Sequence, residues 1–320
     1  MSPGARAGRP TPTLFRPMDS VPTLADLGST PPPGTALAVL GHPIRHSISP
    51  AMHQSALAEM ARLNPEYSTW SYGRFDVPPA DLPQALDRLH ALGYRGLNLT
   101  VPHKVLAFDR MVAIDPAARP IGAVNTLRWS AAGWHGYNTD GHGLATAIGE
   151  TLGLSLRGAT VVLLGAGGAA RGAAVECLQR GCAALWIGNR TRDNLDTLLT
   201  LLGPIAGGAA LHGFAPERPP SDLPAGALVV NATSAGLKPQ DAPPIHLDAL
   251  PRPAGVYDMI YNPPVTPLLA QAARLGLPHA NGLSMLIHQG ARALEIWSGS
   301  AVPVPAMRRA AEQALGLAKP

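Results

Sequence analysis

The chain has 320 residues, 46% hydrophobic and 14% charged, with a formal net charge of +4 at pH 7. That length suits two domains and a sizeable core. Without a Lys/Arg block of nucleic-acid type or an apolar run of ~18 residues, neither nucleic-acid binding nor a membrane span is expected. Two cysteines, Cys177 and Cys182, are too few for a disulfide framework or a zinc site and fit a reducing cytoplasm.

Residues 1–35 are rich in Pro, Gly and Arg and end in Pro31-Pro32-Pro33-Gly34. Lacking an apolar signal region, they read as a disordered tail, or as a misplaced start with Met18 the true one. A short apolar strand at 36–40 then breaks at Gly41-His42-Pro43. Ser49-Pro50 has the form of a helix N-cap followed by Pro at the first helical position. Met52, Ala56, Met60 and Leu63 follow at helical spacing. Ser49 therefore reads as a cap whether or not anything binds, whereas Ser47 stands on the loop two residues earlier. Two hydroxyls near a helix start also suit a ligand carboxylate. His42, His46 and His53 lack a third ligand of obvious geometry and there is no HExxH, so no metal is expected.

Strands are expected at 67–75 and 96–101, separated by a helix at 80–92. In the second strand Asn98 and Thr100 share a face. Pro102 ends it and can open a helix carrying Lys104 in its first turn. The helix dipole disfavours a cation there, which hints at purpose, although a solvated surface lysine accounts equally for the residue taken alone. Residues 122–140 read as a hairpin with its turn at 130–133. If that turn centres on Ala131 and Ala132, Trp129 faces Trp134, Asn125 faces Asn138, and Asn125 ends close to Asp140.

A connecting helix is expected at 141–154, followed by strands at 160–164 and 184–188. Between them lies Gly165-Ala166-Gly167-Gly168-Ala169. Gly165, Gly167 and Ala170 fit the dinucleotide fingerprint, in which a strand and a helix flank a glycine turn that brings backbone N–H groups to a pyrophosphate. NAD sites usually place an acid at the end of the next strand. Here stand Asn189-Arg190-Thr191-Arg192, with no acid until Asp193, so NADP is the expected cofactor. Strands at 227–230 and 255–260 end in polar runs, where open α/β sheets bind ligands. Ser284 is expected to cap a final helical run in which Met285, Gln289, Ala293 and Ile296 share a face. Taken alone, Gln289 reads as a satisfied boundary residue.

The ordered set of motifs resembles the shikimate dehydrogenases over about residues 36 to 318. It comprises Pro43-Ile44 to Ser49-Pro50, Asn98-x-Thr100 to Lys104, Gly122-Ala123-Val124-Asn125-Thr126 and Tyr137-Asn138-Thr139-Asp140-Gly141. The glycine turn, Asn189-Arg190-Thr191, Asn231-Ala232-Thr233-Ser234, Tyr257-Asp258-Met259-Ile260-Tyr261 and Asn281-Gly282-Leu283-Ser284-Met285-Leu286 complete it. The resemblance implies an α/β fold of two domains. An N-terminal α/β substrate domain, residues 36–140 plus 282–320, would join a Rossmann-type doubly wound parallel-sheet domain, residues 141–281, with C-terminal helices returning to the first.

It also implies NADPH-linked reduction of 3-dehydroshikimate to shikimate, with Lys104 and Asp140 as the acid–base pair. Ser47, Ser49 and Tyr261 would hold the substrate carboxylate, and Asn98, Thr100, Asn125, Asp140 and Gln289 its ring hydroxyls. Gly165, Ala166, Gly167, Gly168, Ala169, Asn189, Arg190, Thr191, Arg192, Met259, Gly282 and Met285 would line the NADP site. Gln54 departs from the Asn of many relatives. Asn194 stands where a second basic residue often clamps the 2′-phosphate, so Arg192 substitutes or the preference over NAD is weaker. A quinate or dual quinate/shikimate dehydrogenase is the neighbouring reading. A non-catalytic NADP-binding regulator is the more distant one, and the intact Lys104 and Asp140 argue against it. Monomer and homodimer are both left open.

Overall fold

The computed structural model describes residues 21–238 and 240–317. Two six-stranded sheets organise them. The first contains β1 (Thr35–Gly41), β2 (Trp70–Asp76), β3 (Gly96–Leu99), β4 (Ala113–Ile114), β5 (Thr126–Ser130) and β6 (Gly133–Tyr137), in the order β2-β1-β3-β5-β6-β4. β1 pairs parallel to both β2 and β3, while β5 and β6 form an antiparallel hairpin joined antiparallel to β3. The expected register holds, with Trp129 opposite Trp134.

Alternate residues of this sheet feed two cores, as the period-2 geometry of strands requires. Leu37 and Val39 pack with Met52 and Leu57 of α1 (Ser49–Leu63), with Ile287, Leu294 and Trp297 of α8 (Leu283–Ser298), and with Met307 of α9 (Val304–Ala314). Leu40, Leu97 and Leu99 pack with Leu82, Leu86 and Leu89 of α2 (Leu82–Ala91). The C-terminal helices thus return to the first sheet, and the Trp297 indole donates to the carbonyl of Leu127 at 2.9 Å.

The second sheet is wholly parallel, β12-β11-β10-β7-β8-β9. Its strands are β7 (Thr160–Leu164), β8 (Ala184–Gly188), β9 (Ala210–Phe214), β10 (Leu228–Asn231), β11 (Gly255–Asp258) and β12 (His279–Ala280). Crossovers run through α5 (Gly168–Gln179), α6 (Arg192–Leu202) and α7 (Pro267–Arg274). Val161 and Leu163 face Leu144 and Ile148 of α4 (Asp140–Leu152) and Val175 of α5. Val162, Leu164, Val229 and Val256 face the other way, toward Leu268 and Leu269 of α7. Helices on both faces of a parallel sheet in this strand order make a doubly wound fold.

Four expectations are corrected. Residues 21–34 are not tail: Thr23 bridges to Asp76, Leu24 and Leu27 are buried, and the Arg88 guanidinium donates to both their carbonyls at 2.9 Å. Residues 1–20, Met18 included, lie outside the described residues. Ser49 is the first helical residue rather than the cap, a place taken by Ile48. Ser284 likewise lies inside α8, after Gly282, and its hydroxyl donates to Glu150 of α4. The strand expected from Tyr67 starts at Trp70, because the Asn64 side chain accepts from Glu66 N–H and draws residues Pro65–Thr69 into a 3-10 turn.

Candidate active site

A cavity of about 350 Å³ opens between the two sheets. Its walls bring together residues far apart in sequence: Asn98 from β3, Ser47, Ser49, Thr100 and Lys104 from the loops and helix starts beside the first sheet, and Asp140 from the start of α4. Met259, Tyr261, Gly282, Met285 and Gln289 complete it from the second sheet's end and from α8. Lys104 is the only lysine or arginine on its wall among the described residues.

Lys104 reaches the cavity from α3 (His103–Leu106), a single turn that follows β3. Its backbone carbonyl accepts from Val124 N–H at 2.9 Å, fixing that turn against the strand leading to β5. The ammonium donates to Asp140 Oδ2 at 2.5 Å, with the two side chains 30% and 22% exposed. Such a pair is sheltered yet open to a ligand. The neighbouring His103 adds no second cation: burial lowers its pKa, and its Nε2 meets the Val77 carbonyl at 2.8 Å.

Asp140 is held from behind. Asn125 Nδ2 donates to Asp140 Oδ1 at 2.8 Å, to Thr139 Oγ1 at 3.0 Å and to Gln289 Oε1 at 3.3 Å. Asn125 Oδ1 accepts from the Thr139 N–H at 2.8 Å and from the Thr126 hydroxyl at 3.0 Å. Only 1% exposed, Asn125 lies behind the carboxylate instead of on the cavity wall. Thr139 is an organising residue that lies in a matching motif but to which the sequence assigns no role. Nothing in a threonine one place before an acid says that it will be buried against the opposing strand.

The hydroxyls of Ser49, Thr100 and Tyr261 have no hydrogen-bond partner among the described residues, and Ser47 Oγ accepts only from Ser49 N–H, at 3.4 Å. Burial raises the pKa of Tyr261, so its hydroxyl stays a donor. Arg74 of β2 donates to the carbonyls of Arg45 at 2.8 Å and Ser47 at 3.4 Å, which ties down the loop bearing the serines. Unspent hydroxyl donors beside one ammonium suit an anionic, polyhydroxylated ligand of small size.

The glycine turn continues the same cleft. Gly165 has φ +113°, and a Cβ there would press on Thr233 and on the Ala232 carbonyl at 3.1–3.2 Å. Gly167 and Gly168 have nothing within 4 Å of such an atom, and the first turn of α5 lacks a side-chain cap. Ala166 is half-buried and Ala169 exposed. This is an open cradle of unspent N–H groups, matched to a pyrophosphate. After β8, the Asn189 side chain donates to the Thr191 carbonyl at 2.8 Å, and Arg190 is exposed with no partner among the described residues. Arg192, expected beside it, instead pairs with Asp196 one helical turn on, at 2.8 Å. The residues present therefore fit NADP, with Arg190 as the available guanidinium.

A doubly wound sheet with a glycine cradle, facing a lysine–carboxylate pair held by a separate α/β sheet, defines a nicotinamide-linked dehydrogenase with its own substrate domain. Comparison with known proteins narrows the class. Residues 39–127 match the shikimate dehydrogenase substrate binding domain, and residues 282–312 the shikimate 5'-dehydrogenase C-terminal domain. The NADP(+) shikimate dehydrogenase of Symbiobacterium thermophilum is 41% identical over 289 residues, covering 88% of this chain and 95% of that protein. Shikimate 5-dehydrogenase from Thermus thermophilus, solved with NADP(H) and shikimate, superposes with a TM-score of 0.76 at 34% identity, over 88% of this chain and 99% of that one. Ligand-free 5-ketofructose reductase of a Gluconobacter species is similar too, with a TM-score of 0.77, 33% identity and coverages of 88% and 98%. The chain belongs to the shikimate dehydrogenase family.

Proposed function

We propose that the cavity is the site at which this enzyme, an NADP-dependent shikimate dehydrogenase, interconverts 3-dehydroshikimate and shikimate, with Lys104 and Asp140 as its acid–base pair. The observation carrying this reading is the 2.5 Å contact between Lys104 Nζ and Asp140 Oδ2 on the wall shared with Met259, Gly282 and Met285. NADPH, when bound, supplies a hydride. Lys104, as the ammonium, delivers a proton to the substrate carbonyl oxygen as that oxygen gains charge, and in the opposite direction the neutral amine receives it. Asp140 keeps the ammonium aimed and neutralises its charge, while Asn125 and Thr139 keep the carboxylate from turning away.

Substrate orientation falls to the hydroxyls. Ser47, Ser49 and Tyr261 present donors to the carboxylate, and Asn98, Thr100 and Gln289 meet ring hydroxyls. The 2′-phosphate of NADP falls to Arg190, at a place where an acid would repel it. Fixed groups on both walls convert binding into orientation, which is where the rate advantage of such sites arises. The test is turnover of shikimate with NADP by the purified protein. Reduction of NADP that requires shikimate supports the reading, and no turnover above a Lys104→Ala control refutes it.

A further inference from the structure

The Asn98 carboxamide has one orientation available, held by residues outside the cavity on both its nitrogen and its oxygen side. Its Nδ2 donates to the Asn125 carbonyl at 3.1 Å and to Thr126 Oγ1 at 3.1 Å. The carbonyl is acceptor-only, so nitrogen must face it. Thr126 spends its own hydrogen on Asn125 Oδ1 and is an acceptor toward Asn98. Both amide hydrogens of Asn98 are thereby consumed. Its Oδ1 accepts the Tyr72 hydroxyl at 2.7 Å, which leaves one lone pair on a residue that lines the cavity.

Tyr72 does not line the cavity and is 1% exposed. Its ring is clamped by His53, parallel at 4.0 Å and 3°, with Trp297 tilted against it at 6.2 Å. Neither nitrogen of the fully buried His53 has a hydrogen-bond partner among the described residues, so the imidazole does not compete for the phenolic proton. Asn98 Oδ1 is the only partner of that hydroxyl among the described residues.

We propose that Tyr72 is a positioning residue that holds Asn98 as an acceptor toward the ligand, so that at this point the cavity selects a hydroxyl and rejects a group without a proton to donate. The inference rests on Asn98 contacting the substrate, as proposed above. Removing the phenolic hydroxyl leaves the buried Oδ1 short of one donor and loosens the amide, which Asn125 and Thr126 then hold from its nitrogen side alone. The ring, its stacking on His53 and the Lys104–Asp140 pair stay in place.

The test is a double-mutant cycle on the full-length enzyme with Tyr72→Phe, Asn98→Ala and the combination, reading KM for shikimate, KM for NADP, kcat and Tm. Tyr72→Phe is expected to raise KM for shikimate roughly 5- to 10-fold, the worth of one hydrogen bond. It should leave kcat and KM for NADP within about twofold. Added to Asn98→Ala, the same change should alter KM for shikimate by less than about twofold, because its route to the ligand is gone. A merely structural tyrosine would instead lower Tm and impair both backgrounds alike. An unchanged KM in Tyr72→Phe, or an equal effect in both backgrounds, overturns the inference while Asn98→Ala remains impaired. If Asn98→Ala itself binds shikimate normally, the ligand role of Asn98 falls, and this inference falls with it.

Discussion

His53 gives the molecule an acid sensitivity of calculable size. It is fully buried against Tyr72 and Trp297, both ring nitrogens lack partners among the described residues, and burial lowers its pKa to about 3. In the unfolded chain the imidazole titrates near ~6.5. A histidine depressed in the folded state contributes its full stability above the unfolded value, and that contribution is lost as pH falls from there toward 3. At pH 5.0 the unfolded chain already holds the proton and the folded protein does not. A gap of about 1.5 pH units at ~1.36 kcal/mol each gives about 2 kcal/mol of destabilisation relative to pH 7.5. The assay is urea unfolding of wild type and His53→Phe at both pH values. Any constant packing cost of the larger ring cancels in each protein's own difference, and so do the other histidines. Wild type should lose about 2 kcal/mol more than the variant on acidification. Equal losses, within about 0.5 kcal/mol, would refute the argument from burial.

Other outcomes follow from the site. Lys104→Ala should lower kcat by roughly 10²-fold or more with little change in shikimate binding, as the loss of a general acid–base group does; steady-state kinetics and a shikimate titration separate the two. Arg190→Ala should raise KM for NADP roughly tenfold or more and leave KM for NAD unchanged, the outcome required if the guanidinium meets only the extra phosphate, as proposed. Arg192→Ala, which breaks a solvent-exposed pair with Asp196, should leave both KM values within about twofold. Matched effects of the two arginine variants would show that Arg192 abandons Asp196 for the cofactor. Gly165→Ala should cost roughly 1–3 kcal/mol in thermal or urea unfolding, because its φ of +113° suits only glycine; an unchanged Tm would contradict that.

Local signals carry much of the fold. β7 and β8 lie at the residues expected, 160–164 and 184–188, because uninterrupted apolar runs bounded by Gly and Asn leave little freedom in placing a buried parallel strand. The hairpin is readable since one turn fixes every cross-strand pair, and with them the approach of Asn125 to Asp140. Long-range contacts are hidden. Ser284 resembles a cap because its actual partner, Glu150, lies 134 residues away. β9, Ala-Leu-His-Gly-Phe, has no β-branched residue and becomes a strand by pairing with β8. Leu24 and Leu27 are lost among prolines, though their burial beneath Arg88 is what ends the expected tail. Within the site, residue types and positions are legible, but directions are not: Arg192 turning to Asp196, and Asn125 facing backwards, depend on neighbours that only the folded chain supplies.

Asp140 is where the polypeptide passes from one half of the molecule to the other. Its carboxylate is moored to Lys104 and Asn125 on the substrate side. Within two turns of the same helix, Leu144, Ala147 and Ile148 are embedded in the nucleotide half, and Gly143 lets that helix touch the backbone of α8 at Met285. The carboxylate proposed to work with Lys104 thus also ties the two halves together.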